Sequence, residues 1–331
     1  MRIYVFAALW LAATLGLCTA QAQTRVLNPS EADQRVGVRD CRQSKPEDQN
    51  PGLVGPYEIQ ICFEAFVVSL KNKPATGPTW RIPVFVAHRI EPSKRNFELG
   101  NPRPSGWYTV NTLYREGLAA THRSYRFDMD EAQRAREDWY ERGHLAAKNL
   151  IERVNADAAE FTHNTVNAVP QRRRFNRIGW LDLECRTGAW ANQAQELWVV
   201  AGPIFKSNPP QNVLKAPLDP ATNGTSAERR NRQPDVAIPD ELFKVVVRKN
   251  DDGYRALAFV FPQKDASYSD PKRAQDPTKF LRSIALIEEQ TGLVFFEGMP
   301  QAPQKTRPEK GLWPHKKDDF DEGCTDFAKD T

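Results

Sequence analysis

The chain has 331 residues, about 40% of them apolar, enough for one large or two modest packed domains. Lys and Arg number 46 against 42 Asp and Glu, a net charge of only +4, so where the charges sit matters more than their sum. No internal repeat or low-complexity array is present, which excludes a solenoid, and no stretch after the leader is apolar for long enough to be a membrane helix.

Met1-Arg2 gives a positive start, Ile3 to Leu17 is an apolar run short for a bilayer, and Ala20-Gln21-Ala22 is a small-residue cleavage site. Residues 1–22 therefore read as a signal peptide cut after Ala22, and the mature chain as secreted or periplasmic, without stable membrane association. Cys18 raises a lipoprotein reading, but Leu17 stands where a small residue should precede a lipidated cysteine. The mature chain keeps Cys41, Cys62, Cys185 and Cys324. An even number in an exported chain implies two disulfides with three possible pairings, of which Cys41–Cys62 and Cys185–Cys324 are favoured.

Residues 23–56 are polar and broken by Pro and Gly, an irregular N-terminal arm. Tyr57 to Val68 alternates, then runs apolar, and is expected as one strand; Thr79 to His88 follows after a Lys/Pro/Gly turn as its hairpin or meander partner. Residues 89–130 are mixed and polar, as in surface loops, and Asp130 to Tyr140 has the composition of either a helix or a charged loop. Ala156 to Leu183 reads as mainly helical, interrupted by Pro170. Glu196 to Phe205 reads as a buried strand, followed by a proline-rich loop. Leu242 to Val247 and Tyr254 to Phe261 read as strands turned by Asp251-Asp252-Gly253. Phe280 to Glu289 is an amphipathic helix ended at Thr291-Gly292, and the Pro-, Lys- and Asp-rich tail of 300–331 is expected to pack poorly except at Cys324. Segregated strands and helices indicate an α+β fold, with one domain over 57–299.

Three features carry chemistry. Glu141-Arg142-Gly143-His144 sets an acid, a base, a glycine and an imidazole side by side; alone, such a run marks a turn. Asn167-Ala168-Val169-Pro170-Gln171 follows, and then Asn176, Trp180 and Glu184 at four-residue spacing, which on a helix share one face. Such a helix could aim two oxygen ligands at one point; the plainer reading is an Asn cap and a solvated Glu. Basic residues cluster at Arg172–Arg174, at Arg229-Arg230 with Arg232, and at Arg248-Lys249. Each is compatible with phosphate contacts, although a single cluster is more often a solvated surface.

Taken in order, Glu141-Arg142-Gly143-His144-Leu145-Ala146, Asn167-x-x-Pro170-Gln171, Asn176, Trp180 and Glu184 resemble the DNA/RNA non-specific endonuclease family, with Gly202–Phe205 and Phe243–Val246 similar to its later core strands. The likeness spans roughly residues 57–298. It implies a single nuclease domain with a central antiparallel sheet flanked by helices and a ββα-metal active site. It further implies His144 as general base, Asn176 as the one protein ligand of a divalent ion (Mg²⁺, or Mn²⁺), and Glu184 as the acid holding that ion's waters. Asn167 would support the site and Arg142 would lie near the scissile phosphate. An upstream arginine is matched best by Arg123, with Arg126 second. DNA and RNA are the implied substrates, the implied products carry 5′-phosphate and 3′-hydroxyl ends, and a homodimer is open.

The chemistry is coherent without the family. Imidazole accepts a proton near neutral pH, Mg²⁺ prefers oxygen ligands and retains most of its waters, and arginine supplies fixed positive charge to a pentacovalent phosphate. A zinc enzyme is disfavoured because His88, His122, His144, His163 and His315 offer no H-x-x-x-H pair and the cysteines no C-x-x-C; His163 reads as structural. A serine hydrolase lacks its G-x-S-x-G elbow. The rival of another class is an exported nucleic-acid-binding protein that kept the fold and lost catalysis. Glu141 in place of the family's Asp and Ala147 in place of its Pro favour that rival, while His144, Asn176 and Glu184 together oppose it.

Overall fold

The computed structural model describes residues 24–44, 46–50, 52–55, 58–72, 80–92, 104–125, 139–214, 234–264, 268, 276–308, 311–320 and 324. The stretch 1–22 expected as a leader, most of Asp130 to Tyr140, Arg126 and the Arg229–Arg232 cluster lie outside the described residues.

The main sheet has eight strands among the described residues, in the spatial order β1 (Arg25–Val26), β2 (Ile59–Cys62), β3 (Val67–Leu70), β4 (Pro83–Ile90), β7 (Glu196–Ile204), β8 (Glu241–Asn250), β9 (Gly253–Pro262) and β10 (Leu281–Arg282). A separate antiparallel ribbon pairs β5 (Tyr140–His144) with β6 (Ala168–Arg172). Every pair in the main sheet is antiparallel except β1 with β2. The near-continuous apolar run of β8 explains why both faces of the sheet are covered. Leu242 and Val246 point into one core, while Phe243, Val245 and Val247 point into a second on the opposite face. Helix α1 (Leu181–Ala191) and the ribbon cover the first face through Leu183, Trp190, Ala168 and Val169. Helix α2 (Ile284–Thr291) covers the second through Ile284 and Ile287. The architecture is the α+β class the composition implied, a large sheet flanked by helices.

Several elements differ from their sequence-based expectation. Tyr57 to Val68 does not form one strand: the chain reverses at Phe63–Phe66, where the two rings stack at 4.3 Å and Phe63 N–H donates to the Phe66 carbonyl at 2.9 Å. An apolar turn carries no Gly or Pro signal and looks like uninterrupted strand. Ala168–Arg172, expected within a helical stretch, is β6, because its backbone is completed by β5 across the register Glu141↔Gln171 and His144↔Ala168. Pro170 is buried and tolerated there because each strand of a two-stranded ribbon is an edge, and its carbonyl accepts from Gln263 Nε2 at 2.6 Å. Glu141–His144 itself is strand rather than turn. Helix α2 begins at Ile284, with Ser283 Oγ accepting from Leu286 N–H, and stops at Gly292, whose φ of 72° suits glycine. The Asp251-Asp252-Gly253 turn joins β8 to β9 as expected.

Both termini pack more than their polarity suggested. Arg25–Val26 adds a strand, Leu27 and Val38 join the core, and Ser30 with buried Asp33 forms a capping box on a short helix. In the tail, Trp313 packs edge-on to Trp190 at 5.3 Å, and Phe320 joins Cys185 and Cys324 in a small apolar cluster. The two favoured disulfides, Cys41–Cys62 and Cys185–Cys324, are present.

Candidate active site

His144 ends β5 where the ribbon meets α1. Gly143 precedes it for a steric reason: a Cβ there would lie 2.1 Å from the Gln171 side chain across the ladder. Beyond His144 the chain is held by Asn167, whose side chain is fully buried. Asn167 Oδ1 accepts from Ala146 N–H at 2.9 Å, and Nδ2 donates to the carbonyls of Ala146 and Thr162, each at 2.9 Å. Its polar atoms are thus committed to backbone, so it shapes the loop rather than reaching outward.

The His144 ring sits among aromatics. Trp107 lies 4.8 Å from it, and His163 meets it edge-on at 4.6 Å. Arg142 extends over the other part of Trp107, with its guanidinium 5.1 Å from the ring, and donates to the His122 carbonyl at 3.3 Å. Trp107 therefore links the imidazole to a fixed guanidinium. Arg123 is exposed on the turn His122–Tyr125, next in sequence to the carbonyl that anchors Arg142. His163, read from sequence as structural within a helix, instead lies in a turn after Ala156–Glu160 and touches His144. Nothing local in the sequence signals that contact, or that of Trp107, since both depend on loops meeting in space.

The chain enters α1 through a widened π-turn, Phe175–Trp180. Asn176 therefore does not share the strict four-residue row of Trp180 and Glu184. It faces the ribbon, where its Nδ2 donates to Glu141 Oε2 at 2.8 Å. Arg177 pairs with the same carboxylate at 2.7 Å, and Arg173 lies 3.7 Å away while stacking on Trp139. The longer side chain of Glu141 thus spans from the ribbon to the helix. Its bond also orients the amide: with Nδ2 committed, Oδ1 is the end left to face a cation. Trp180 makes the second ribbon-to-helix tie, donating Nε1–H to the His144 carbonyl at 3.0 Å.

Glu184, one turn on, is largely buried and stands 3.8 Å from Lys244 Nζ. Burial pulls the Lys244 ammonium down to about 8, an effect that Glu184 opposes. Burial, with a smaller contribution from Lys244, pushes His88 down to about 3.

Oxygen donors from Asn176 and Glu184 suit a hard divalent ion that keeps most of its waters. Among the described residues no group of three or more His, Cys, Asp or Glu is placed to hold a metal. Of the basic clusters, Arg172–Arg174 flanks the ribbon, with Arg172 stacked on Tyr140. Arg248 is buried against Trp313 at 4.2 Å, and Lys249 pairs with Glu196, so that cluster belongs to the packing of the tail and of β7.

The ribbon carrying His144 is tied to the helical segment carrying Asn176 and Glu184 by the Glu141–Asn176 and Trp180–His144 hydrogen bonds, on an α+β frame. The sequence model of the DNA/RNA non-specific endonuclease family matches residues 55–302, three quarters of the chain, and the chain belongs to that family. The family is one of nucleic-acid hydrolases that generally use a divalent metal. It is 27% identical over 163 residues to the mitochondrial nuclease EXOG of Danio rerio, a match covering 48% of this chain and 43% of that protein, less than half the relative's length. In fold it is similar to a chain of the crystal structure of the EndoG/EndoGI complex, described as revealing the mechanism of EndoG inhibition, with a TM-score of 0.51 and 19% identity over 78% of this chain and 93% of that one. No helix among the described residues is long and apolar enough to cross a membrane.

Proposed function

We propose that this protein is an exported, metal-dependent endonuclease that hydrolyses phosphodiester bonds of DNA and RNA with little sequence preference. The observation that carries the reading is the Glu141–Asn176 hydrogen bond, which joins the ribbon bearing His144 to the helix bearing Glu184 and engages the Asn176 amide through its nitrogen rather than its oxygen. In this reading residues 1–22 are the export leader, 23–56 an arm, 57–299 the catalytic domain and 300–331 the tail. The two disulfides support an oxidising compartment.

His144 accepts the proton of the attacking water. Trp107 and His163 hold its ring, and the Trp180 bond to its carbonyl holds its backbone. Arg142, fixed against Trp107 and the His122 carbonyl, offers preorganised positive charge to the phosphate, and exposed Arg123 extends that field. Asn176 would hold a divalent ion (Mg²⁺, or Mn²⁺) through its amide oxygen, and Glu184 would order the surrounding water. Such an ion supplies charge stabilisation to the departing oxygen, leaving 5′-phosphate and 3′-hydroxyl ends. Phosphate-directed contacts carry no base code, so both nucleic acids are cut, and cutting weakens as salt rises.

The test is incubation of the mature protein with plasmid DNA and with RNA, in Mg²⁺ and then in EDTA, beside His144→Ala. Cutting that needs the ion and His144 supports the reading. Binding without cutting in any metal identifies instead a binding protein that has lost catalysis.

A further inference from the structure

Lys244 is the unusual residue of β8. Its neighbours at the period-two positions, Leu242 and Val246, are ordinary core, yet between them stands a lysine with no exposed surface. A buried ammonium is costly and is seldom retained without a partner that uses it. Lys244 lies opposite Ala201 on β7 and Phe259 on β9, and the small Ala201 leaves room beneath α1. Nζ stands 4.0 Å from the centre of the Trp180 ring and 3.8 Å from Glu184 Oε1. The same Trp180 donates Nε1–H to the carbonyl of His144. One ammonium thus touches the acid of the site directly, and touches its imidazole strand through a single indole. His88, on the same sheet face, is the other titratable group with which it interacts.

We infer that Lys244 is a positioning residue: from beneath the helix it fixes the Glu184 carboxylate and the Trp180 ring in one arrangement, so that Glu184 and the His144 backbone keep a set separation. A hydrophobic residue of similar length would fill the space and satisfy the core better, but would withdraw the Lys244 charge from buried Glu184. The inference deepens the nuclease reading and rests on it.

The test is a double-mutant cycle on the full chain with Lys244→Met, Glu184→Gln and the pair. Three quantities are read: kcat and KM for plasmid cleavage, the Kd of the protein for Mn²⁺ without substrate, and the chemical denaturation midpoint. If Lys244 acts through Glu184, Lys244→Met lowers kcat by about 100-fold with KM within about threefold, and weakens Mn²⁺ by about tenfold, in the range typical of residues that orient ligands. In the Glu184→Gln background the same change costs less than threefold in either quantity, and the midpoint lost in the single variant is largely restored. Full additivity in the cycle, or cleavage and Mn²⁺ affinity unchanged by Lys244→Met, overturns the inference. Should Lys244→Met be too unstable to purify, the Lys244→Met/Glu184→Gln pair must still fold; failure of the pair as well assigns Lys244 to the core and refutes the role. A wild type that cuts no nucleic acid refutes the nuclease reading separately, and the Mn²⁺ and denaturation cycles then still decide Lys244.

Discussion

Replacing His88 with leucine should make the fold more resistant to acid. His88 lies on β4 with no exposed surface, and neither ring nitrogen has a hydrogen-bond partner among the described residues. Burial and the nearby Lys244 hold its folded-state pKa at about 3 against an ordinary 6.5. The unfolded chain therefore takes up a proton on this ring below about pH 6.5 while the folded one does not. Stability is fully present above that pH and is lost as pH falls toward 3. At about 1.4 kcal/mol per unit, the loss between pH 7.5 and 5 comes to about 2 kcal/mol, with a ceiling near 5 at still lower pH. Asp182 works in the opposite sense. Its carboxyl is pushed up to about 6 by burial, so it adds stability as pH falls from about 6 to 4 and partly hides the histidine in the wild type. Comparing wild type with His88→Leu cancels Asp182, which both share. Urea denaturation at pH 7.5 and 5 should find the difference between the two proteins shifted by about 2 kcal/mol toward the variant at the lower pH. A difference that stays constant within about 0.5 kcal/mol would refute the argument, because the ring would then be taking up its proton in the folded state.

Removing the Glu141 carboxylate by Glu141→Ala frees the Asn176 amide, and Mn²⁺ affinity measured by calorimetry should fall by about 10- to 100-fold. Asn167→Ala loses three buried bonds to backbone; denaturation should report a cost of about 3 kcal/mol, with cleavage falling because the loop after His144 loosens. Replacing Cys185 and Cys324 together by alanine opens a loop of 139 residues, and chain entropy sets the loss at up to about 5 kcal/mol in denaturation experiments.

Much of the site is written in short-range chemistry. The order of Glu141, Arg142, His144, Asn167, Asn176 and Glu184 identifies the family, because a reaction needing a base, a hard-cation ligand and fixed positive charge constrains residue types wherever they fall. The apolar runs of β7, β8 and β9 were legible for a similar reason: a sheet buried on both faces must be apolar at almost every position. Other elements were not legible. Ala168–Arg172 has little strand character and becomes β6 only because β5 supplies its partners. The chain reversal at Phe63–Phe66 is closed by apolar rings, which read as strand. What the sequence by itself determined is thus the class of fold, the family and the disulfide pairing, since these follow from composition and from residue types at set spacings. Tertiary structure alone decided that Glu141 clamps Asn176, that Trp107 and His163 wall in His144, and that Lys244 lies beneath Glu184. Those contacts join residues from 19 to 60 positions apart, and the energy of a through-space contact leaves no mark on the local spacing of either partner.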